Sequence, residues 1–298
     1  MWRFIILMAC ILISAVCQST TYTYTQSFTG TQYGKYQFDV MQAALDVTAK
    51  KYDKVSLKSH PFPMSQSRQI VTLLDGKADL MWSVTTEKLE NTLLPVRFPL
   101  LQGLGGHRIF VINQAMQAHF PPNQTLDNIK RMACVQGADW PDTQILKDHH
   151  FTVHSATWSD WYTGMYRSLE EGMADYFPRN VIEVQRDLNY HLSEKLRIEK
   201  NHLLVYPSYE YLFVSPQRPE LQARLYEGLT ILLKNGELAK LFNHYPEHRK
   251  AKMMVNKDHR VVHHLSSSVL PYTWDNSNWE ASPQAFLQEF YARNESWF

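Results

Sequence analysis

Apolar and polar positions alternate along this chain with two different periods. Phe38, Met41 and Leu45 recur at helical spacing within residues 37–52 and predict an amphipathic helix. Residues 22–29 before it alternate tyrosine with threonine, which is typical of a strand. Segments of both kinds follow one another along the chain, and this order predicts an α/β protein.

One phrase of this pattern occurs twice. The sequence LLDGKADL occupies residues 73–80, and LEEGMADY occupies residues 169–176. Each phrase places an apolar helix end before a glycine, then a small residue, an aspartate and the start of a strand. The repetition predicts two α/β units of similar construction. A chance match is the alternative, because the phrase is short.

These phrases, and the order of elements around them, resemble the bacterial extracellular solute-binding proteins of family 3, the amino-acid-binding type. The resemblance covers roughly residues 20–245. It implies the two-lobed periplasmic-binding-protein fold of type II, in which each lobe is a mixed sheet flanked by helices. Two hinge crossings are expected, at about residues 113 and 214. The expected parts are a signal peptide (1–17), lobe 1 (18–113 and 214–245), lobe 2 (114–213) and a C-terminal extension packed on lobe 1 (246–298).

Residues 1–17 have the composition of a secretory signal peptide. Arg3 supplies the charged start, and the apolar run Phe4–Val16 is too short to span a bilayer comfortably. Ala15 and Cys17 are small residues suited to cleavage after Cys17. A periplasmic location follows from this interpretation. An uncleaved membrane anchor and a lipid attached at Cys17 are the alternatives.

Composition excludes some partners. Lys and Arg number 30 and Asp and Glu number 29, so nothing in the charge balance indicates a nucleic-acid partner. Cys134 is the only cysteine outside the leader, so the mature chain is expected to have no intrachain disulfide. Its apolar neighbours favour a buried thiol over a reactive one.

The family resemblance implies a ligand site between the lobes that closes by hinge motion. It points to the Ser83–Thr86 turn, the Gly137–Asp142 turn and residues 177–180. The expected ligand-binding residues are Tyr24, Phe28, Trp82, Ser83, Thr85, Thr86, Trp140, Asp142, Phe177, Arg179 and Asn180. An ordinary half-buried place on a strand is the alternative for Tyr24 and Phe28. Packing in the core is the alternative for Trp82, Trp140 and Trp158, the last a further stacking candidate.

The chain departs from the family at the ligand anchors. The resembled proteins hold the ligand carboxylate with an arginine after the Ser/Thr turn, and the matching position here is Leu89. Where they hold the amino group with a carboxylate, this chain offers Arg179 and Asn180. A guanidinium at position 179 favours an anionic ligand, and a salt bridge between the lobes is the alternative. Arg97 and Arg108 are weaker candidates for the same role.

Metal and catalytic motifs are not found. The cluster of His149, His150 and His154 and the pair His263-His264 suggest zinc, but adjacent histidines on a strand point to opposite faces. Neither HExxH, CxxC nor GxSxG occurs in the sequence. We therefore expect no metal, no cofactor and no catalytic residue.

The expected function is a monomeric periplasmic solute-binding protein, not an enzyme, that captures a small polar or anionic ligand for an ABC-type permease or a membrane sensor. One alternative is a regulatory module whose cleft is degenerate. Another is a periplasmic dehydratase-like enzyme on the same fold. Such an enzyme needs an acid/base pair, and Glu87, Asp139 and Asp142 are the nearby carboxylates.

Overall fold

The structure is a computed structural model that describes residues 20–28, 33–157, 159, 163–255 and 260–273. The expected signal peptide, Trp158 and residues 274–298 lie outside the described residues.

Strands and helices alternate through most of these residues. Within them the strands are β1 (Thr20–Tyr24), β2 (Val55–Ser59), β3 (Leu80–Val84), β4 (Leu94–Val96), β5 (His107–Asn113), β6 (Ala133–Gly137), β7 (Thr152–Ala156), β8 (Tyr176–Asn180), β9 (Leu196–Ile198), β10 (His202–Val205), β11 (Glu210–Val214) and β12 (Val261–His264). The α-helices are α1 (Lys35–Val47), α2 (Ala49–Tyr52), α3 (Gln66–Leu74), α4 (Glu87–Glu90), α5 (Leu126–Arg131), α6 (Pro141–Asp148), α7 (Gly164–Glu170), α8 (Val184–His191), α9 (Pro219–Lys234), α10 (Glu237–His244) and α11 (Pro246–Val255). Short 3-10 helices occupy Leu104–Gly106 and Gln114–His119.

Two separate sheets divide the molecule into two lobes. The sheet of lobe 1 has the strand order β2-β1-β3-β11-β4, in which β1 is parallel to β2 and β3. β11 is antiparallel to its neighbours β3 and β4. The sheet of lobe 2 has the order β12-β10-β5-β8-β6-β7, with β9 also paired to β5. Helices pack on both sheets, so the predicted α/β fold with two mixed sheets is confirmed.

The repeated sequence phrase has the same structure in both lobes. In lobe 1, α3 ends before Gly76, which has a φ of 67°, and β3 follows; in lobe 2, α7 ends before Gly172, with a φ of 70°, and β8 follows. The aspartate of each phrase accepts a hydrogen bond from a backbone N–H of the neighbouring parallel strand. Asp79 Oδ2 lies 2.7 Å from the nitrogen of Thr23, and Asp175 Oδ2 lies 2.7 Å from that of Ala133.

β5 lies inside the sheet of lobe 2 and is buried on both faces. Ile109 and Val111 pack into one apolar cluster, whereas Phe110 and Ile112 pack into the other. This is why the sequence shows a continuous apolar run here instead of an alternation.

The close packing of α1 on α9 fixes the helical layer of lobe 1. Gly228 of α9 faces α1 so closely that a Cβ atom there would lie 2.1 Å from the carbonyl oxygen of Ala44. A glycine is therefore required at this contact, for space and not for an unusual φ.

Both chain crossings lie earlier than the sequence suggested. β4 belongs to lobe 1 and β5 to lobe 2, so the first crossing precedes residue 107 and is not at about residue 113. β10 belongs to lobe 2 and β11 to lobe 1, so the return crossing falls between them, before residue 210. The sequence placed both boundaries at strand ends because an apolar strand does not reveal which sheet it joins.

The described part of the C-terminal extension contacts lobe 1, where the sequence analysis placed it, and also contacts lobe 2. α11 packs on lobe 1, where His248 contacts the ring of Tyr36. β12 then pairs in parallel with β10 at the edge of the lobe 2 sheet. Beyond it, the carbonyl oxygen of Val269 accepts a hydrogen bond from Glu87 N at 2.9 Å, back on lobe 1. Residues 260–273 thus form a third connection between the lobes.

None of the helices in the described residues has both the length and the apolar character that crossing a membrane requires.

Candidate functional site

A cavity of about 130 Å³ lies between the two lobes. Its lobe 1 wall includes Ser27, Phe28, Tyr33, Trp82, Ser83 and Glu210. Its lobe 2 wall includes Arg108, Trp140, Asp142, Arg179, Glu183 and Arg186.

The cavity lies where parallel strands end in both lobes. Ser27 and Phe28 follow β1, and Ser83 belongs to the last residues of β3. In lobe 2, Trp140 follows β6, and Arg179 belongs to the last residues of β8. The carboxyl ends of parallel strands are the usual ligand site of α/β sheets. The repeated phrase explains the symmetry, since it precedes β3 in one lobe and β8 in the other.

The structure brings most of the predicted site residues together. The predicted residues that line the cavity are Phe28, Trp82, Ser83, Trp140, Asp142, Arg179 and Asn180. Their role in binding a ligand stays a prediction.

Four predicted residues do not line the cavity, each for a local reason. Tyr24 packs its ring against Phe38 and Trp82. Thr85 is fully buried, and its hydroxyl donates to Glu90 at 2.6 Å. Thr86 caps α4, because its Oγ1 accepts the N–H of Leu89 at 3.0 Å.

Phe177 is the fourth of these residues. It is fully buried behind the cavity, where its ring lies against Trp140 and Tyr166. Phe177 and Arg179 lie on the same side of β8, and the guanidinium of Arg179, nearer the end of the strand, lies 5.2 Å from the ring centre of Phe177.

Leu89, at the position of the family's arginine, is buried in α4 and packs in the core. Arg97, a weaker candidate, pairs with Glu90 at 2.6 Å, and it is not among the residues that line the cavity. Neither position supplies a cation to the cavity.

Arg108 lines the cavity but is already paired. Its Nε donates to Asp142 Oδ1 at 2.6 Å and contacts Tyr206 Oη at 2.9 Å. Both charged side chains are almost fully buried, with exposed fractions of 4% and 6%. Asp142 reaches Arg108 because Pro141 begins α6 and places the next side chain in its first turn.

A second charged cluster surrounds Asp187, which is fully buried at the cavity's lobe 2 side. Arg179 donates to Asp187 Oδ2 from Nε at 2.8 Å and from a terminal nitrogen at 2.6 Å, and it also pairs with Glu183 at 3.0 Å. Arg186 contacts Asp187 Oδ1 at 3.1 Å. Burial raises the pKa of Asp187, but the charges of Arg179 and Arg186 outweigh it and leave the pKa below its ordinary value.

Glu210 is the carboxylate of the opposite wall. It begins β11, is half-buried, and accepts a hydrogen bond from Gln37 Nε2 at 2.7 Å. Burial, with a smaller contribution from Glu183, raises the pKa of Glu210 to about 7. Within the described ranges, no lysine, arginine or histidine lies within salt-bridge distance of it.

Sequence reasoning missed Glu183, Arg186 and Glu210 as residues of this cavity. Glu183 lies three residues after Asn180, at the end of a predicted strand, and this position could have predicted its place at the cavity. Glu210 carried no such signal, because its contact with the cavity depends on β11 pairing with β3.

The two lobes also contact each other directly. Ser67 of α3 donates to Asp139 Oδ2 at 3.5 Å, and the guanidinium of Arg186 lies 4.5 Å from the ring centre of Tyr33. Among the described residues, no group of three or more His, Cys, Asp or Glu side chains is placed to hold a metal ion.

Two lobes built on separate sheets, with a polar cavity between them, define a two-lobed α/β protein of the periplasmic-binding-protein-like type. Solved structures share this fold. An ancestral arginine-binding protein bound to arginine is 16% identical with a TM-score of 0.57, over 76% of this chain and 98% of that one. A histidine kinase sensor domain similar to periplasmic binding proteins is 14% identical with a TM-score of 0.55, over 77% and 96%.

An ancestral amino-acid-binding protein described as a precursor of cyclohexadienyl dehydratase is 13% identical, with a TM-score of 0.55 over 76% of this chain and 95% of that one. The sequence matches no family model, and it matches no curated protein. The resemblance expected from the sequence is therefore confirmed at the level of the fold.

Proposed function

We propose that this protein is a periplasmic solute-binding protein of the amino-acid-binding type, divergent at its ligand anchors, which captures a small polar ligand between its lobes. The observation that carries the proposal is the cavity lined from both lobes by charged groups and by Phe28, Trp82 and Trp140. Small-ligand sites combine such an apolar wall with a few polar groups that fix orientation. The protein releases and captures its ligand as the lobes open and close about their crossings.

The proposal is tested by a thermal-shift screen of the purified mature protein. A bound solute raises the melting temperature, because it stabilises the folded state in proportion to RT ln(1 + [L]/Kd). Amino acids, amines, dicarboxylates, sugars and short peptides form the panel. Trp140→Ala should remove the shift seen with any active solute. Tyr190→Ala, at a residue that is 65% exposed and outside the cavity, should keep it.

Secretion is part of the same proposal. Residues 1–17 direct the chain to the periplasm and are removed, which the charged start and short apolar run support. N-terminal sequencing of the protein recovered from the periplasm should begin at Gln18. An ABC-type permease or a membrane sensor reads the closed form, and the binding protein itself is a monomer, which light scattering measures directly.

A dehydratase-like enzyme is the second candidate. Of the carboxylates first considered for it, only Asp142 lines the cavity, and it is paired with Arg108. Glu87 is exposed on α4 outside the cavity. The observation that favours an enzyme is instead Glu210, since a cleft carboxyl with a pKa of about 7 suits general acid/base chemistry near neutral pH. Turnover of cyclic hydroxy acids that is lost in Glu210→Gln would establish the enzyme.

A regulatory module with a degenerate cleft is the third candidate. Two observations favour it. Leu89 occupies the position of the resembled family's arginine, and Arg108 and Arg179 are each paired with a carboxylate of the protein itself. Such a module should show no thermal shift with any member of the panel.

A further inference from the structure

The charges around the cavity do not balance. Three arginines face it, Arg108, Arg179 and Arg186. Protein carboxylates accompany all three: Asp142 for Arg108, and Asp187 with Glu183 for the other two. The three arginines are thus matched by three carboxylates. Glu210 is a fourth carboxylate that has no arginine of its own among these pairs.

The pairing of the arginines decides against an anionic ligand. An incoming carboxylate or phosphate would have to compete with carboxylates that are already in place, two of them almost fully buried. Releasing Asp142 or Asp187 from its arginine would leave a buried charge without a partner, which is costly. Each arginine that lines the cavity in the described residues therefore already pairs with a protein carboxylate, which disfavours the expected anionic ligand.

Glu210 is in the opposite situation. Its Oε1 accepts a hydrogen bond from a neutral amide, that of Gln37, and the nearby charged groups are Glu183, Arg186 and Arg108 across the cavity. The phenol of Tyr36 also lies near, but its hydroxyl donates to the carbonyl of Leu100. The residue is half-buried and lines the cavity, so a ligand group reaches it.

We propose that Glu210 is the residue that selects the ligand, and that the ligand carries a protonated amine or guanidinium. The inference rests on the proposed function, because it assigns the ligand class of the same cavity. The ammonium donates to Glu210 from the lobe 1 side, and Phe28 and Trp82 provide an apolar, aromatic wall beside it. The anchor thus lies on lobe 1 at the start of β11, and the two positions used by the resembled family are not needed.

This arrangement links binding to protons. The cation binds the ionised form of Glu210, and burial raises the pKa of that carboxyl to about 7 in the protein without ligand. Binding below pH 7 therefore releases a proton. Affinity should fall about tenfold for each pH unit below this value and should level off above it.

The test uses five probes on the mature protein at pH 8: putrescine, agmatine, L-arginine, succinate and D-ribose. Melting temperatures identify which probes bind, and calorimetry measures their affinities. We expect at least one amine or guanidinium probe to bind and succinate not to bind. Glu210→Gln, which removes the charge and keeps the shape, should lower the affinity for the cationic probe roughly thirtyfold or more. Glu237→Gln, an exposed carboxylate of α10 outside the cavity, should leave its affinity unchanged.

The outcomes separate the two proposals. Binding of succinate or ribose alone would overturn the assignment of Glu210 and leave the solute-binding function intact. Binding of no probe by the wild-type protein would count against both. A cationic probe that binds Glu210→Gln as tightly as wild type would also overturn the assignment.

A measurement on the unmodified protein covers the case in which Glu210→Gln does not fold. Calorimetry of the cationic probe at pH 6.5, in two buffers of different ionisation enthalpy, should report release of a large fraction of a proton. At pH 8, where the amine of the probe is still protonated and Glu210 is mostly ionised, it should report almost none. Equal heats in both buffers at pH 6.5 would overturn the proposal.

Discussion

Gln37 donates its side-chain amide to Glu210 across 2.7 Å, and the two residues join α1 to the first residue of β11. The contact fixes the carboxylate at the cavity wall without neutralising it. A neutral donor is a weaker partner than a cation, so burial dominates and the pKa of Glu210 rises to about 7.

This raised pKa predicts a pH dependence of stability without any ligand. The ordinary pKa of the carboxyl is 4.5, and the folded state binds its proton more tightly than the unfolded state does. The stabilisation is therefore complete below pH 4.5 and is lost as the pH rises through 7. We expect Glu210→Gln to gain about 1–3 kcal/mol relative to wild type between pH 4.5 and pH 8. Urea unfolding at several pH values measures the difference, and a curve parallel to wild type would contradict it.

The two aspartates of the repeated phrase give a second prediction. Asp175 Oδ2 accepts the N–H of Ala133, so Asp175→Ala should cost about 1–2 kcal/mol, and Asp175→Asn, which keeps an acceptor oxygen, should cost less. Asp79→Ala should cost more than Asp175→Ala, because Asp79 also accepts from Arg218 Nε at 2.8 Å. Equal losses for Asp175→Asn and Asp175→Ala, measured by denaturant unfolding, would show that the acceptor is not what matters.

These aspartates also show what the sequence could predict. The phrase predicted a helix end, a glycine and a strand in each half, and all three occur in both lobes because each is fixed by local backbone and periodicity. The position of the cavity could also be predicted, because the ends of parallel strands lie at one edge of a sheet. Residues that follow β1 and β6, and residues at the end of β8, line the same cavity.

What the sequence could not give was the partner of each strand. β5 and β11 are apolar runs that fit either sheet, so the crossings were placed too late. Glu210 was missed for the same reason, because its place at the cavity depends on pairing with Val84. The role of Arg179 also required coordinates, since Asp187, which binds it, lies eight residues further on and looks like an ordinary helix residue.

The contact between α1 and α9 predicts a strong effect of one methyl group. Alanine is normally the better helix residue by about 1 kcal/mol. At position 228, however, its Cβ would lie 2.1 Å from the carbonyl oxygen of Ala44, and a backbone atom cannot move aside cheaply. Gly228→Ala should therefore destabilise lobe 1 by about 1–3 kcal/mol. Lys234→Ala, exposed at the end of the same helix, should change stability little, and a stabilised Gly228→Ala would contradict the close packing.

The third connection between the lobes depends in part on one hydroxyl. Tyr272 Oη donates to Glu90 and lies 3.1 Å from Tyr211 Oη, which holds the segment after β12 against lobe 1. Tyr272→Phe should cost about 1–2 kcal/mol and should speed tryptic cleavage at Arg260. Tyr190→Phe is the control, because its ring is 65% exposed. Unchanged cleavage in Tyr272→Phe would show that the hydroxyl does not hold the segment.

β12 should detach more readily in acid because two buried imidazoles meet on its inner side. His202 donates from Nε2 to the carbonyl of Pro121 at 2.9 Å, and its Nδ1 lies 3.0 Å from Nε2 of His263. Burial, with smaller contributions from the neighbouring His202 and His264, lowers the pKa of His263 from 6.5 to about 4. Neutral His263 therefore stabilises the fold above pH 6.5, and this contribution is lost as the pH falls through 4.

His263→Gln keeps a donor toward His202 and cannot take up a proton. We expect wild type to lose up to about 3 kcal/mol relative to this variant between pH 6.5 and pH 4. Arg260 and Glu199, which also lie at this end of the strand pair, are common to both proteins and cancel in the difference. His264→Gln is the matched control, because the neighbouring side chain is exposed on the other face of β12. An acid loss of the same size in wild type and His263→Gln would show that another group controls the detachment.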